Sequence, residues 1–146
     1  DTSVFGGIYD DNFQDESKKF FEEVKKGRFT LITSAVVQAE IEPAPEKVKV
    51  FFNDMIEIAE IVDVSKEALH LRDAYLKAGI VTSKYSDDAL HVALASVSNC
   101  SLIVSWNFKH IVHFEKIPLY NAVNILNGYS EIKIFSPLEV IKYDED

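Results

Sequence analysis

The feature that most limits what this chain can become is an alternation: apolar extended stretches of a few residues recur along it, with segments of helical period between them. The stretches are Phe29–Thr33, Ile58–Val64, Leu102–Ser105 and Glu131–Phe135. Short strands separated by helices point to parallel pairing, because a crossover helix is what a parallel connection requires. The class is therefore α/β. The helical segments carry their own punctuation. Phe20, Phe21 and Val24 share one side of a helix over Glu16–Lys26 that stops at Gly27. Ser34 caps a helix reaching Glu42, Pro43 and Pro45 interrupt it, and Pro45 opens the next, with Val48, Phe51, Phe52 and Met55. Ser65 opens a helix that closes at Gly79, Ser86 or Asp87 caps another running to Ser98, and Pro118–Leu126 forms a short one. Ser136, Pro137 and Glu139 spell a capping box over Pro137–Ile141, and the acidic tail beyond is expected to fray. Gly6-Gly7 reads as a flexible turn.

A length of 146 residues predicts a single domain over 1–146, and 47% hydrophobic residues supply its core. No apolar run approaches the ~20 residues of a membrane span, and the start lacks a signal-peptide pattern. The expected compartment is the cytoplasm, with no membrane partner. The single cysteine, Cys100, allows no internal disulfide and no Cys-based zinc site. A net charge of -9 argues against a general polyanion binder, whose affinity comes from a basic footprint. An acidic protein acting on nucleic acid needs another source of positive charge, and a divalent ion held by clustered carboxylates would supply it. No Gly-x-Ser-x-Gly elbow, Walker loop or Gly-x-Gly-x-x-Gly is present. The chain opens on Asp1-Thr2-Ser3-Val4 with no strand ahead, as though cut after a first β-strand, and apolar residues are expected upstream.

The informative positions are acids on faces that should be apolar. Glu40 shares a stripe with Val36 and Val37, so it is expected to point inward, or else to snorkel or pair with a lysine. Asp88 heads a stripe completed by Val92 and Ala95; its place in the first turn of a helix is a sufficient alternative reason for an acid there. Asp1 is a candidate of the same kind, with solvation at a terminus as its plain alternative. After the strand Leu102–Ser105 come Trp106, Asn107, Phe108, Lys109 and His110, at the strand end where open α/β sheets place ligands. Asn107 is equally a turn former, and Trp106 and Phe108 read as core. His70, His91 and His113 read as structural or solvated. Asp1, Glu40, Asp88 and Asn107 together offer oxygen ligands suited to Mg²⁺ or Mn²⁺ rather than zinc.

These segments resemble the motifs of the PIN domain family of metal-dependent nucleases, which includes VapC-type toxins of toxin-antitoxin pairs. Asp1-Thr2-Ser3-Val4-Phe5 is similar to the first motif, Ser34 through Ile41 with Glu40 to the second, Asp88 through Ala95 to the third, and Leu102 through Asn107 to the fourth, where Asn107 stands in place of the usual acid. The run Trp106 to His110 is similar to that of an uncharacterised PIN-like branch. The resemblance implies a three-layer α/β/α fold around a central parallel sheet, with the first strand missing or truncated here. It also implies a homodimer, and an antitoxin protein as partner if the chain is a toxin. The activity implied is a hydrolytic endoribonuclease using Mg²⁺ or Mn²⁺ on single-stranded RNA. Asp1, Glu40 and Asp88 would bind the metal, Asn107 would act as a neutral ligand or position water, Ser3 would orient Asp1, and Lys109 and His110 would contact substrate. Three acids that close should repel, raising the pKa of at least one of them. The alternative is a PIN-like module that no longer cuts and binds RNA or protein.

Overall fold

Ser34 converts a strand into a helix within one residue: its backbone is extended, and its hydroxyl accepts a hydrogen bond from the amide of Val37. This satisfies one of the donors that a helix start leaves free. Ser65 does the same for Ala68. The computed structural model describes residues 1–143, and the expected fraying of the tail concerns residues outside that range. Its helices are α1 (Thr2–Gly7), α2 (Gln14–Lys25), α3 (Ala35–Ile41), α4 (Glu46–Ile56), α5 (Lys66–Lys77), α6 (Ser86–Val97), α7 (Lys116–Leu126) and α8 (Pro137–Val140). The strands are β1 (Ile32–Ser34), β2 (Glu60–Val62), β3 (Leu102–Val104) and β4 (Lys133–Phe135). Gly27 and Gly79 stop α2 and α5 with φ of +85° and +75°, a conformation that glycine adopts without penalty.

All strand pairing is parallel. Thr33 lies opposite Ile61 in the β1–β2 pair, and Ile103 opposite Ile134 in the β3–β4 pair. Alternation along the strands divides the core between two layers of helices. Ile103 and Ile134 join Leu71, Tyr75, Val92 and Tyr120, from α5, α6 and α7. Val104 and Phe135 pack on the opposite side, against a cluster containing Phe5, Phe21, Phe52 and Val140 from α1, α2, α4 and α8. The result is an α/β/α arrangement. It departs from one continuous sheet, because the strands form two separate two-stranded halves.

Three local expectations are corrected. Gly6 and Gly7 are the last residues of α1 rather than a flexible turn, and Gly7 is buried where a Cβ would stand 2.5 Å from Ser17 Oγ and 2.9 Å from Trp106 Nε1. A one-turn 3₁₀ segment, Ser83–Tyr85, runs into α6, so Tyr85 takes the cap position and Ser86 and Asp87 lie inside the first turn. Trp106 is core as expected, stacked on Phe13 at 4.2 Å with its indole N–H donating to Ser17 Oγ, but Phe108 is exposed.

Candidate active site

The candidate residues gather where α1, α3 and α6 meet the end of β3. Asp1 precedes α1, and its ammonium donates to the carbonyl of Val104 at 3.2 Å. Ser3 donates through Oγ to Asp1 Oδ1 at 2.7 Å and accepts from the amide of Trp106 at 2.9 Å. One hydroxyl thus ties the Asp1 carboxylate to the backbone that follows β3. Glu40 reaches back from the last turn of α3. Its Oε1 accepts from Thr2 Oγ1 at 3.1 Å and lies 2.5 Å from Nε2 of His91. The Glu40 side chain retains 35% exposure, so it stands at a rim and does not point fully inward, whereas the His91 side chain is buried at 6%.

Asp88 is one helical turn before His91 and therefore on the same face of α6. Asp88 is half-buried, and its charge is felt by His110 and Tyr120. Asn107 is engaged locally: its Oδ1 accepts from the amide of His110 at 3.0 Å and its own amide donates to Ser105 Oγ. This is the turn-forming role open to an asparagine. The His110 ring is buried 3.9 Å from the Tyr85 ring, with neither nitrogen hydrogen-bonded. Lys109 and Lys84 each place Nζ 5.6 Å from the centre of that same Tyr85 ring.

A family model described as PIN domain matches residues 1–108. The chain belongs to the PIN domain family. No match is found among curated proteins or among solved structures. Membership gives the chain a nuclease-type function and nucleic acid as its class of partner, in a family that typically uses divalent metals. No helix among the described residues is long and apolar enough to cross a membrane.

The donor set of this PIN domain, carboxylate oxygens backed by a hydroxyl and an amide, fits a hard cation chemically. Its positions are less complete. Among the described residues, no group of three or more His, Cys, Asp or Glu side chains lies close enough together to hold an ion. The structure pairs Glu40 with His91 and, through Thr2, with the start of α1; it does not bring Asp88 into the same cluster. The electrostatics agree. Burial pushes the Glu40 carboxyl up, but the hydrogen bond and charge of His91, the Thr2 hydroxyl and the Asp1 ammonium outweigh it and hold Glu40 below the usual carboxylate range. The rise expected from crowded acids is not seen at Glu40, because its immediate neighbours are donors. Burial pulls the Asp1 ammonium down to about 6, against the opposing charges of Glu40 and Cys100. Burial also lowers His110, with the charge of Asp88 opposing it and Lys116, Lys109 and His113 adding to the fall.

His91 is the site residue that sequence reasoning missed. The signal was its position three residues after Asp88, on the stripe already singled out, yet its partner lies 51 residues away and no local pattern announces it.

Proposed function

We propose that this PIN domain is a Mg²⁺- or Mn²⁺-dependent phosphodiesterase that cuts single-stranded RNA. The observation that carries the reading is the linked set at the end of β3: Asp1 held by Ser3, and Glu40 held by Thr2 and by His91 one turn beyond Asp88. Asp1, Glu40 and Asp88 would hold the ion, which when bound activates water and polarises the phosphate. Ser3 fixes the rotamer of Asp1. His91 fixes the direction of Glu40, a positioning role. Lys109, exposed beside Tyr85, offers a cation to a substrate phosphate, and the unpartnered His110 ring next to it offers a hydrogen bond. In an acidic protein these few cations matter, because the overall charge repels RNA. Asn107, occupied in its turn, serves to shape this loop. A toxin role with an antitoxin partner, and a homodimer, belong to the same proposal.

A second reading is a module that binds RNA or protein without cutting. It is favoured by the ungathered ligands and by an amide at position 107. Cleavage of single-stranded RNA in Mn²⁺, compared between wild type, Glu40→Gln and Asp88→Asn, separates the two. The expected loss in each variant is about 100-fold or more, the order seen when an electrostatic catalytic group is removed. Undiminished cleavage in both variants overturns the assigned site, and no cleavage by any of the three forms establishes the second reading.

A further inference from the structure

In a protein of net charge -9, cations without an acid partner are few, and three of them stand over tyrosine rings beside the candidate active site. Among the described residues, Lys47, Lys84 and Lys109 enter no ion pair. Lys84 and Lys109 share the ring of Tyr85, which precedes Asp88 by three residues and rests on His110. Lys47 stands at the other end of the acid set. Its Nζ lies 4.7 Å from the centre of the Tyr9 ring, in an open groove of about 410 Å³ lined also by Thr2, Gly6 and Asp10. Thr2 joins this groove to the site, because its hydroxyl donates to Glu40. We propose that the groove is a nucleotide subsite: it seats one base of single-stranded RNA against Tyr9 and that nucleotide's phosphate at Lys47. The strand then passes Glu40 and Asp88 and reaches the second pair of lysines at Tyr85. The proposal rests on the reading of this domain as one that acts on single-stranded RNA.

The sequence builds the groove from the outer face of α1. Val4, Phe5 and Ile8 turn into the core, so Thr2, Gly6 and Tyr9, at i, i+4 and i+7, are left on the opposite side. The Tyr9 amide donates to the Gly6 carbonyl at 3.1 Å, a turn that keeps the ring next to the glycine. A Cβ at Gly6 would meet nothing within 4 Å, so the missing side chain leaves a flat floor between Thr2 and a ring that is 40% exposed. Every base has a face that can stack on such a ring, while the lysine answers the backbone charge; aromatic and cation together are how single strands are held. Asp10 sets the orientation. Its Oδ1 accepts from the Asn12 amide at 2.9 Å, and an acid at this place repels a phosphate but accepts hydrogen bonds from amino groups. The edge of the base therefore belongs on the side of Asp10, and uracil, which carries no amino group, should be the weakest occupant.

Fluorescence anisotropy of a labelled single-stranded oligoribonucleotide, with Ca²⁺ in place of Mn²⁺, measures the subsite apart from the chemistry, and cleavage in Mn²⁺ is followed in parallel. Gly6→Leu puts a side chain into the groove where a Cβ has open space and where a better helix former replaces glycine, so Tm should hold or rise. Gly6→Leu and Tyr9→Ala are each expected to weaken binding about tenfold or more, and Tyr9→Phe, which keeps the ring, to retain it. Lys47→Ala should reduce the slope of log affinity against log salt by about 0.7, the share of one phosphate contact on a single strand. An abasic residue moved along the oligonucleotide should find one position at which wild type loses affinity and Tyr9→Ala loses nothing further, a coupling that a merely structural role of Tyr9 would not produce. Unchanged binding and KM in Gly6→Leu and Tyr9→Ala overturn the subsite, and cleavage by wild type in that case leaves the nuclease reading standing. Binding that fails in these variants without cleavage by any form supports the subsite and removes the nuclease. No binding of RNA by wild type overturns both.

Discussion

Two buried regions of this molecule, the Tyr75–Asn124 network under α5, α6 and α7 and the surroundings of Thr33 in β1, handle polarity in opposite ways. On the α5–α6–α7 side, Tyr75, Tyr120 and Asn124 are completely buried, and their polar groups are all spoken for. The Tyr75 hydroxyl donates to Asn124 Oδ1, Asn124 Nδ2 donates to Ser96 Oγ at 2.9 Å and to the Ser130 carbonyl at 3.2 Å, and Tyr120 donates to the His110 carbonyl at 2.8 Å. On the aromatic side, packing is carried by rings, among them Phe5, Phe21, Phe51 and Phe52, and one buried polar group near them is unserved. Thr33 has a buried hydroxyl without a partner, while the ammonium of Asp1 is held by the Val104 carbonyl. The difference teaches where buried polarity is matched and where it is not. A polar network is tolerated in a core only when every member is satisfied; the Tyr75–Asn124–Ser96 network meets that condition, whereas the His110 ring beside it and the Thr33 hydroxyl across the sheet do not.

The largest effect is expected from breaking the satisfied network. Asn124→Ala leaves the Tyr75 hydroxyl only the long contact to Ser96 Oγ at 3.5 Å and removes two donated bonds, so it should cost about 3 kcal/mol in urea unfolding. Next comes the tight contact between α1 and α2. Gly7→Ala forces a methyl group against Ser17 Oγ and Trp106 Nε1, the two atoms whose hydrogen bond ties α2 to the segment after β3. It should cost about 2 kcal/mol. Loss of the native tryptophan fluorescence environment should accompany that change, whereas Asn124→Ala should leave it intact.

Smaller, and confined to the layer of Tyr75 and Tyr120, is an alkaline effect. Burial raises the pKa of both Tyr75 and Tyr120, with only partial relief at Tyr75 from Ser96 and Asn124. The unfolded chain ionises these phenols near their ordinary value of about 10, while the folded chain keeps its protons. Above that pH the folded state binds more protons than the unfolded one, so stability is fully present at neutral pH and falls as pH rises past about 10. Urea midpoints measured across this range should show the fall, and Tyr75→Phe should make it shallower. An unchanged slope in that variant would mean that the surroundings of Tyr75 are already wet.

Much of the architecture was legible because it is locally encoded. Ser34 and Ser65 are caps with backbone partners three residues ahead, and Gly27 and Gly79 are stops with positive φ. What could not be read depended on distant partners. Helix α1 has too few residues to show a period, and its two glycines look like a turn until Trp106 and Ser17 are seen against Gly7. The cap of α6 was misplaced because a preceding 3₁₀ turn is not distinguishable from the helix it enters. At the site, the chemistry of Asp1, Glu40 and Asp88 was visible as acids on apolar stripes, but their mutual placement was not. Glu40 found a buried histidine instead of a second carboxylate, and that choice is made by the packing of α3 against α6.

The smallest expected effect is also the sharpest test of the contrast between the layers, because its sign differs across the sheet. Deleting a buried hydroxyl normally destabilises, since the group it served is left unpaired. Ser96→Ala follows this rule: its Oγ donates to the Val92 carbonyl at 2.9 Å and accepts from Asn124, so a loss of about 1 kcal/mol is expected. Thr33→Val should do the reverse. Valine keeps the shape and the β-branching that suit a strand, and the hydroxyl it removes has no partner to abandon. The desolvation cost of that hydroxyl disappears, and stability should rise by about 0.5–1 kcal/mol. Paired urea titrations of the two variants decide the matter. If both destabilise, the Thr33 hydroxyl is satisfied in solution; opposite signs establish that it is a buried group without a partner, in contrast to Ser96 across the sheet.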